Sequence, residues 1–139
     1  MNKFTLFPKI GGSIPASNEY LVDHIRVIRR IFDELSTACY CDEIEIFHIA
    51  MRVDGEVLAF GDREGCNKMR LSRKQNYIAN SISFGESIWS DEMVLHNFLR
   101  SNLLLAFQQM IAKLRKEKIQ VDGDLLLKDL SKKIELYMT

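Results

Sequence analysis

The sequence predicts an α+β fold in the order β-α-β-β-β-α-α, a mainly antiparallel sheet of about four strands with helices packed on one face. Three observations carry this. Period-2 apolar alternation runs through segments between Glu43 and Phe84, Asp54-Gly55 supplies a tight-turn dipeptide between two of them, and three other stretches repeat apolar residues at helical spacing. Consecutive strands joined by short connections pair antiparallel, and the helices then gather on one side of the sheet. At 139 residues, with 47% apolar and 27% charged side chains, the composition is that of a single globular domain spanning 1–139.

Phe4-Thr5-Leu6-Phe7 is a short first strand, and the following Pro8 belongs at a strand end or sheet edge. Ser17 or Asn18 caps a helix whose Leu21, Ile25, Ile28, Phe32 and Leu35 share one face. Glu43-Ile44-Glu45-Ile46 alternates in one phase and Phe47 to Val53 in the other, which predicts a bulge. Asp54-Gly55 then turns the chain into a returning strand, Val57-Leu58-Ala59-Phe60.

Residues 61–76 lack periodicity and form a basic connection. In Tyr77 to Phe84, Ile78, Ile82 and Phe84 share a face with Asn80, whose amide needs partners if buried. Ser90, with Asp91 and Glu92 in the first turn, begins a long helix carrying Leu95, Leu99, Leu103, Ala106, Met110 and Leu114, and lysines and arginine crowd its end. Asp122-Gly123-Asp124 breaks it, and Leu126, Leu127, Leu130, Ile134 and Tyr137 stripe a last helix.

No local motif supports catalysis. His24, His48 and His96 are dispersed, and Cys39 and Cys41 form a C-x-C pair without a second pair downstream, so no metal site is expected. The glycines make neither a phosphate loop nor a dinucleotide fingerprint, and no cofactor is implied. Cys39, Cys41 and Cys66 are an odd set expected as free thiols in a reducing cytoplasm. The first residues do not resemble an export signal, and no apolar run has the ~20 residues a membrane span needs.

Nineteen Lys and Arg against nineteen Asp and Glu leave no global field, so any steering of a partner is local. Asp42, Glu43 and Glu45 form one candidate patch, an acidic edge; Arg70, Arg73 and Lys74 form another, a basic loop. Trp89, the only tryptophan, is a packed hinge residue or a binding anchor. Arg70, Arg73, Lys74 and Tyr77 also define an alternative, a nucleic-acid-binding loop over 68–74, which the balanced charge disfavours. A second alternative is an enzyme that assembles His48, Cys66 or His96 in space.

The run Arg52-Val-Asp-Gly-Glu-Val-Leu-Ala-Phe-Gly61, the basic segment through Arg73-Lys74, Tyr77 to Ile82, Trp89 and the helix ending Leu114-Arg-Lys-Glu-Lys-Ile119 together resemble a family of small bacterial immunity proteins. Members accompany polymorphic toxins, including those of contact-dependent growth inhibition. The resemblance spans roughly Ile44 to Leu130 and implies a cytoplasmic partner of a cognate toxin's C-terminal domain, acting without catalysis. Among such toxins a nuclease would suit the acidic edge, where carboxylates imitate phosphates.

Overall fold

The structure, a computed structural model, describes residues 1–11, 18–55 and 63–139. Its elements are β1 (Lys3–Ile10), α1 (Glu19–Leu35), β2 (Ile46–Val53), β3 (Gly65–Cys66), β4 (Arg70–Ser72), β5 (Tyr77–Phe84), α2 (Glu86–Trp89), α3 (Glu92–Lys116) and α4 (Gly123–Tyr137). The α+β class, the single sheet and the helices agree with expectation. The strand pairing and the element order do not.

The sheet is mixed. Its three long strands lie in the order β1-β2-β5 and are all parallel, with Lys3 opposite Ile46 and Ile46 opposite Tyr77, and so on to Ile10, Val53 and Phe84. Among the described strands, the short β3 and β4 run antiparallel, both against the far edge of β5. The first reversal of expectation follows from α1, a 17-residue helix between β1 and β2, which carries the chain back so that the second strand starts at the same end as the first.

The second concerns Asp54-Gly55. Both edges of β2 are occupied, by β1 and β5, so no edge remains along Ile46–Val53 for an antiparallel hairpin partner. Instead, Asp54 N donates to Phe84 O at 3.0 Å and Glu86 N to Gly55 O at 3.0 Å, continuing the parallel ladder past the strand ends. The expected return strand Val57–Phe60 lies outside the described residues. A hairpin does form elsewhere, between β4 and β5, where Asn76 takes φ 54°, a left-handed conformation that asparagine tolerates.

No bulge interrupts β2, whose register is unbroken from Ile46 to Val53. The change of phase arises because Glu43 to Glu45 precede the strand, while Ile46 points to the face opposite Phe47, Ile49, Met51 and Val53. Those four are fully buried, in line across the sheet with Ile78, Asn80, Ile82 and Phe84 of β5. Asn80 has the partners its position demands: Nδ2 donates to Ala106 O at 3.2 Å and Gln109 Oε1 at 2.9 Å, and Oδ1 accepts from Ser81 N.

Helices α1 and α3 cover this apolar face. Phe4 of β1 stacks on Phe47 with ring centroids 5.0 Å apart, and Phe107 of α3 reaches Phe4, Phe32 of α1 and Phe47 at 5.8, 5.7 and 6.4 Å. Asn18 caps α1 by accepting from Leu21 N, and the expected stripe from Leu21 to Leu35 is buried. Asp91, rather than Ser90, caps α3; Ser90 instead closes the short α2, which periodicity over so few residues does not reveal.

Helix α4 packs outside α1 and α3 through Leu126, Leu130 and Ile134. Asp122 caps it, and Gly123 brings it close: a Cβ there would stand 2.6 Å from Ile111 Cγ2 of α3. Glu34 of α1 clasps its far end, accepting from Lys133 Nζ at 2.7 Å and Tyr137 OH at 3.0 Å, while Arg30 lies over the Tyr137 ring. The Lys133 ammonium beside Glu34 holds that carboxyl below the usual range.

The free edge of β1 is blunted. Lys3 N donates inward to Glu45 O, so the amides of even-numbered residues face outward. Asn2 N is taken by Ala38 O and Phe4 N by Ser36 Oγ, and Pro8 has no N–H to expose. The edge position expected for Pro8 is thereby found.

Candidate functional site

The two patches read from sequence meet at one end of the sheet. Exposed Asp42, Glu43 and Glu45 line a cavity of about 560 Å³ at the amino ends of the parallel strands, and Arg73 and Asn76 of the β4–β5 turn line its other side. Arg73 also donates to Glu117 O at the C-terminus of α3, where its charge meets the negative end of the helix dipole. The acidic edge and part of the basic loop thus offset one another. Lys74 is exposed on the turn, whereas Arg70 stands apart on β4.

The base of this cavity is structural. Asn2 is 2% exposed; its Nδ2 donates to Cys41 O and Ile44 O, and its Oδ1 accepts from Tyr40 N and Cys41 N. Cys41 Sγ donates to Gln120 O, and burial pushes this thiol up from its ordinary pKa. Cys39 is exposed and donates to Asp42 Oδ1 at 3.4 Å. No histidine lines the cavity.

The residues of the enzyme alternative are dispersed. Cys66, on the covered face of the sheet opposite Ile82, donates to Asn102 O of α3, and burial pushes its thiol up to about 11. His96 of α3 meets His24 of α1, with His24 Nε2 3.0 Å from His96 Nδ1 and His24 Nδ1 2.6 Å from Tyr20 O. His48 lies on the other face of the sheet, its Nδ1 2.6 Å from Thr5 Oγ1. Among the described residues no group of three or more His, Cys, Asp or Glu is placed to hold a metal ion. Trp89 is half-buried and donates from its indole nitrogen to Asp54 O at 2.7 Å, which ties α2 to the end of β2.

The largest feature that sequence reasoning missed is the second face of the sheet. Register places Lys3, Thr5, Phe7 and Lys9 of β1 beside Ile46, His48, Ala50 and Arg52 of β2, then Tyr77, Ala79 and the buried Ser81 and Ser83 of β5, with Arg70 of β4 beside Ala79. None of these positions is an Asp or Glu, and α1 and α3 pack on the opposite face. Phe7 is 58% exposed, Lys3, Lys9 and Arg70 are exposed, and Ile46, His48 and Tyr77 are half-buried. The signal was present as the off-phase residues of each alternating strand, but assigning them to one surface required knowing that the strands run parallel in register.

Burial on this face holds the His48 imidazole below the ordinary histidine pKa. The native state therefore keeps His48 neutral while the unfolded chain takes up a proton below about pH 6.5. This contribution to stability is complete above that pH and is lost as pH falls through the native value. Melting curves taken at descending pH should show wild type losing stability in this window while His48→Gln loses less; parallel curves would show that His48 is not the group responsible.

No protein-family model, curated protein or solved structure matches this chain.

Proposed function

We propose that this chain is a binding protein that neutralises the C-terminal domain of a bacterial toxin by covering it. The observation that carries this reading is the sheet face opposite α1 and α3, where the Phe7 ring and the Lys3, Lys9 and Arg70 side chains are exposed, together with the separate partners to which His48, Cys66 and His96 bond. A blocking protein needs only shape, a few desolvated anchors and complementary charge over roughly 1,600 Å². Among the described residues no helix is long and apolar enough to cross a membrane.

The test is co-expression with the C-terminal domain of a large secreted protein encoded immediately upstream. Growth is expected to recover and the two chains to co-purify. Continued toxicity with no co-purification would overturn the reading. A nucleic-acid-binding alternative draws support from one placement, Arg70 and Tyr77 on the same face, but its other members separate: Arg73 is engaged by α3 and Lys74 sits on the turn.

A further inference from the structure

We infer that His24 and His96 form a two-histidine binding site for a late first-row divalent cation such as zinc, which would join the early turns of α1 to those of α3. The inference stands apart from the toxin-neutralising reading and does not depend on it.

The two residues are 72 positions apart in sequence, yet the packing of α1 against α3 brings His24 Nε2 to 3.0 Å from His96 Nδ1. Buried neighbours on both helices fix this approach: Leu21, Ile25 and Ile28 on one, Leu95 and Leu99 on the other. The rings themselves are half-buried, so the core holds them in place while they still meet solvent. Donors carried on two packed helices are pre-organised, and little ordering is left to do when a ligand arrives.

The tautomer follows from the partners. His24 Nδ1 is 2.6 Å from Tyr20 O, one turn earlier on α1, and a carbonyl only accepts, so Nδ1 carries the proton. In the neutral ring Nε2 then holds the free lone pair, and it is the nitrogen that faces His96. Metal-ligating histidines share this arrangement: the second ring nitrogen donates to a carbonyl or carboxylate, which sets the tautomer and orients the ring. In the hydrogen-bonded pair, His96 Nδ1–H donates to the His24 lone pair. On coordination the His96 proton sits on Nε2 instead, both facing nitrogens donate electron pairs to the cation, and the neutral pair neither gains nor loses a proton.

The spacing suits zinc. Two imidazoles on a tetrahedral zinc stand about 3.3 Å apart nitrogen to nitrogen and about 5.2 Å centroid to centroid. Here the centroids are 5.3 Å apart, with the ring planes inclined at 63°. The helices are therefore already at the required separation. The nitrogens open by about 0.3 Å through a swing of each ring by roughly 35°, within the broad χ2 range of histidine. Imidazole nitrogen favours zinc, copper or nickel over magnesium and calcium, which take oxygen ligands. Water fills the remaining coordination positions, as it does where a protein supplies fewer than four ligands.

The test uses the full chain, stripped with a chelator and carrying Cys39→Ser so that the exposed Cys39 thiol does not compete for metal. Zinc titration by calorimetry is expected to show saturable uptake of one ion per chain, and magnesium titration none. His24→Gln and His96→Gln should each weaken zinc binding by roughly tenfold or more, and His48→Gln by less than about threefold, since even losing a residue behind a metal ligand costs about tenfold. Zinc should also raise the melting temperature of the parent and leave that of His24→Gln and His96→Gln unmoved, because an ion joining α1 to α3 favours the folded chain. Proton–nitrogen NMR of the parent needs no substitution at the site: His24 Nε2 and His96 Nδ1 should shift together as zinc is added, with His48 unchanged.

Absence of saturable zinc binding by the parent would overturn the inference. Uptake that survives in the folded double variant, or ring shifts confined to one of the two histidines, would mark an adventitious surface ion and overturn it equally. Circular dichroism shows which variants are folded, and where one is not, the ring shifts of the parent decide.

Discussion

Replacing Phe107 with alanine should lower the unfolding free energy by about 3–5 kcal/mol, enough to leave a domain of ordinary stability close to its unfolding midpoint. Phe107 is fully buried and touches the first strand, the first helix and the central strand together, through Phe4, Phe32 and Phe47. Its removal would leave a void at the junction of three elements drawn from distant parts of the chain, which cannot collapse without shifting α3 against the sheet. Phe98→Ala, a half-buried ring against Phe84, supplies the comparison and should cost less. Urea denaturation would report the difference as a fall in midpoint at constant slope. A loss of under about 1 kcal/mol at Phe107 would mean that the aromatic cluster does not hold α3 in place.

Asn2→Ala should be the next most damaging change, at about 2–4 kcal/mol. Four backbone groups at Tyr40, Cys41 and Ile44 would lose their partner at once, and each buried group left unpaired costs roughly 1–3 kcal/mol. Water entering from the neighbouring cavity would recover part of this, which keeps the total below the simple sum. Hydrogen exchange gives a local readout: the Tyr40 and Cys41 amides should lose protection well before the centre of β2. Unchanged protection there would show that Asn2 does not anchor the α1–β2 connection.

Helices were legible because their signals are local. Asn18 and Asp122 sit where caps belong, and the stripes from Leu21 to Leu35 and from Leu95 to Leu114 came out buried. Asn80 was legible for the same reason, as a polar residue at an apolar phase. Strand partnership was not. Nothing in Asp54-Gly55 itself reveals that β5 will occupy the edge of β2 on which a hairpin would form, because that competition is settled by tertiary pairing between residues far apart in sequence. The short β3 and β4 carry too few residues for a period to show, and they lie in what sequence alone presents as a basic loop. The candidate site suffered accordingly. Arg70 and Arg73 look like one patch in sequence, yet a strand and a tight turn send one to the second face of the sheet and the other to the end of α3.

The parallel arrangement of β1, β2 and β5 also bears on how the chain matures during synthesis. Lys3 must find Ile46 and Ile46 must find Tyr77, so none of the long pairings can close early; among the described strands the β4–β5 hairpin alone joins neighbours. Such non-local closure slows folding relative to a helical protein of equal size. A nascent chain that has not yet emerged past Phe84 holds a central strand with one flank unpaired, and it is in that interval that a chaperone would find it.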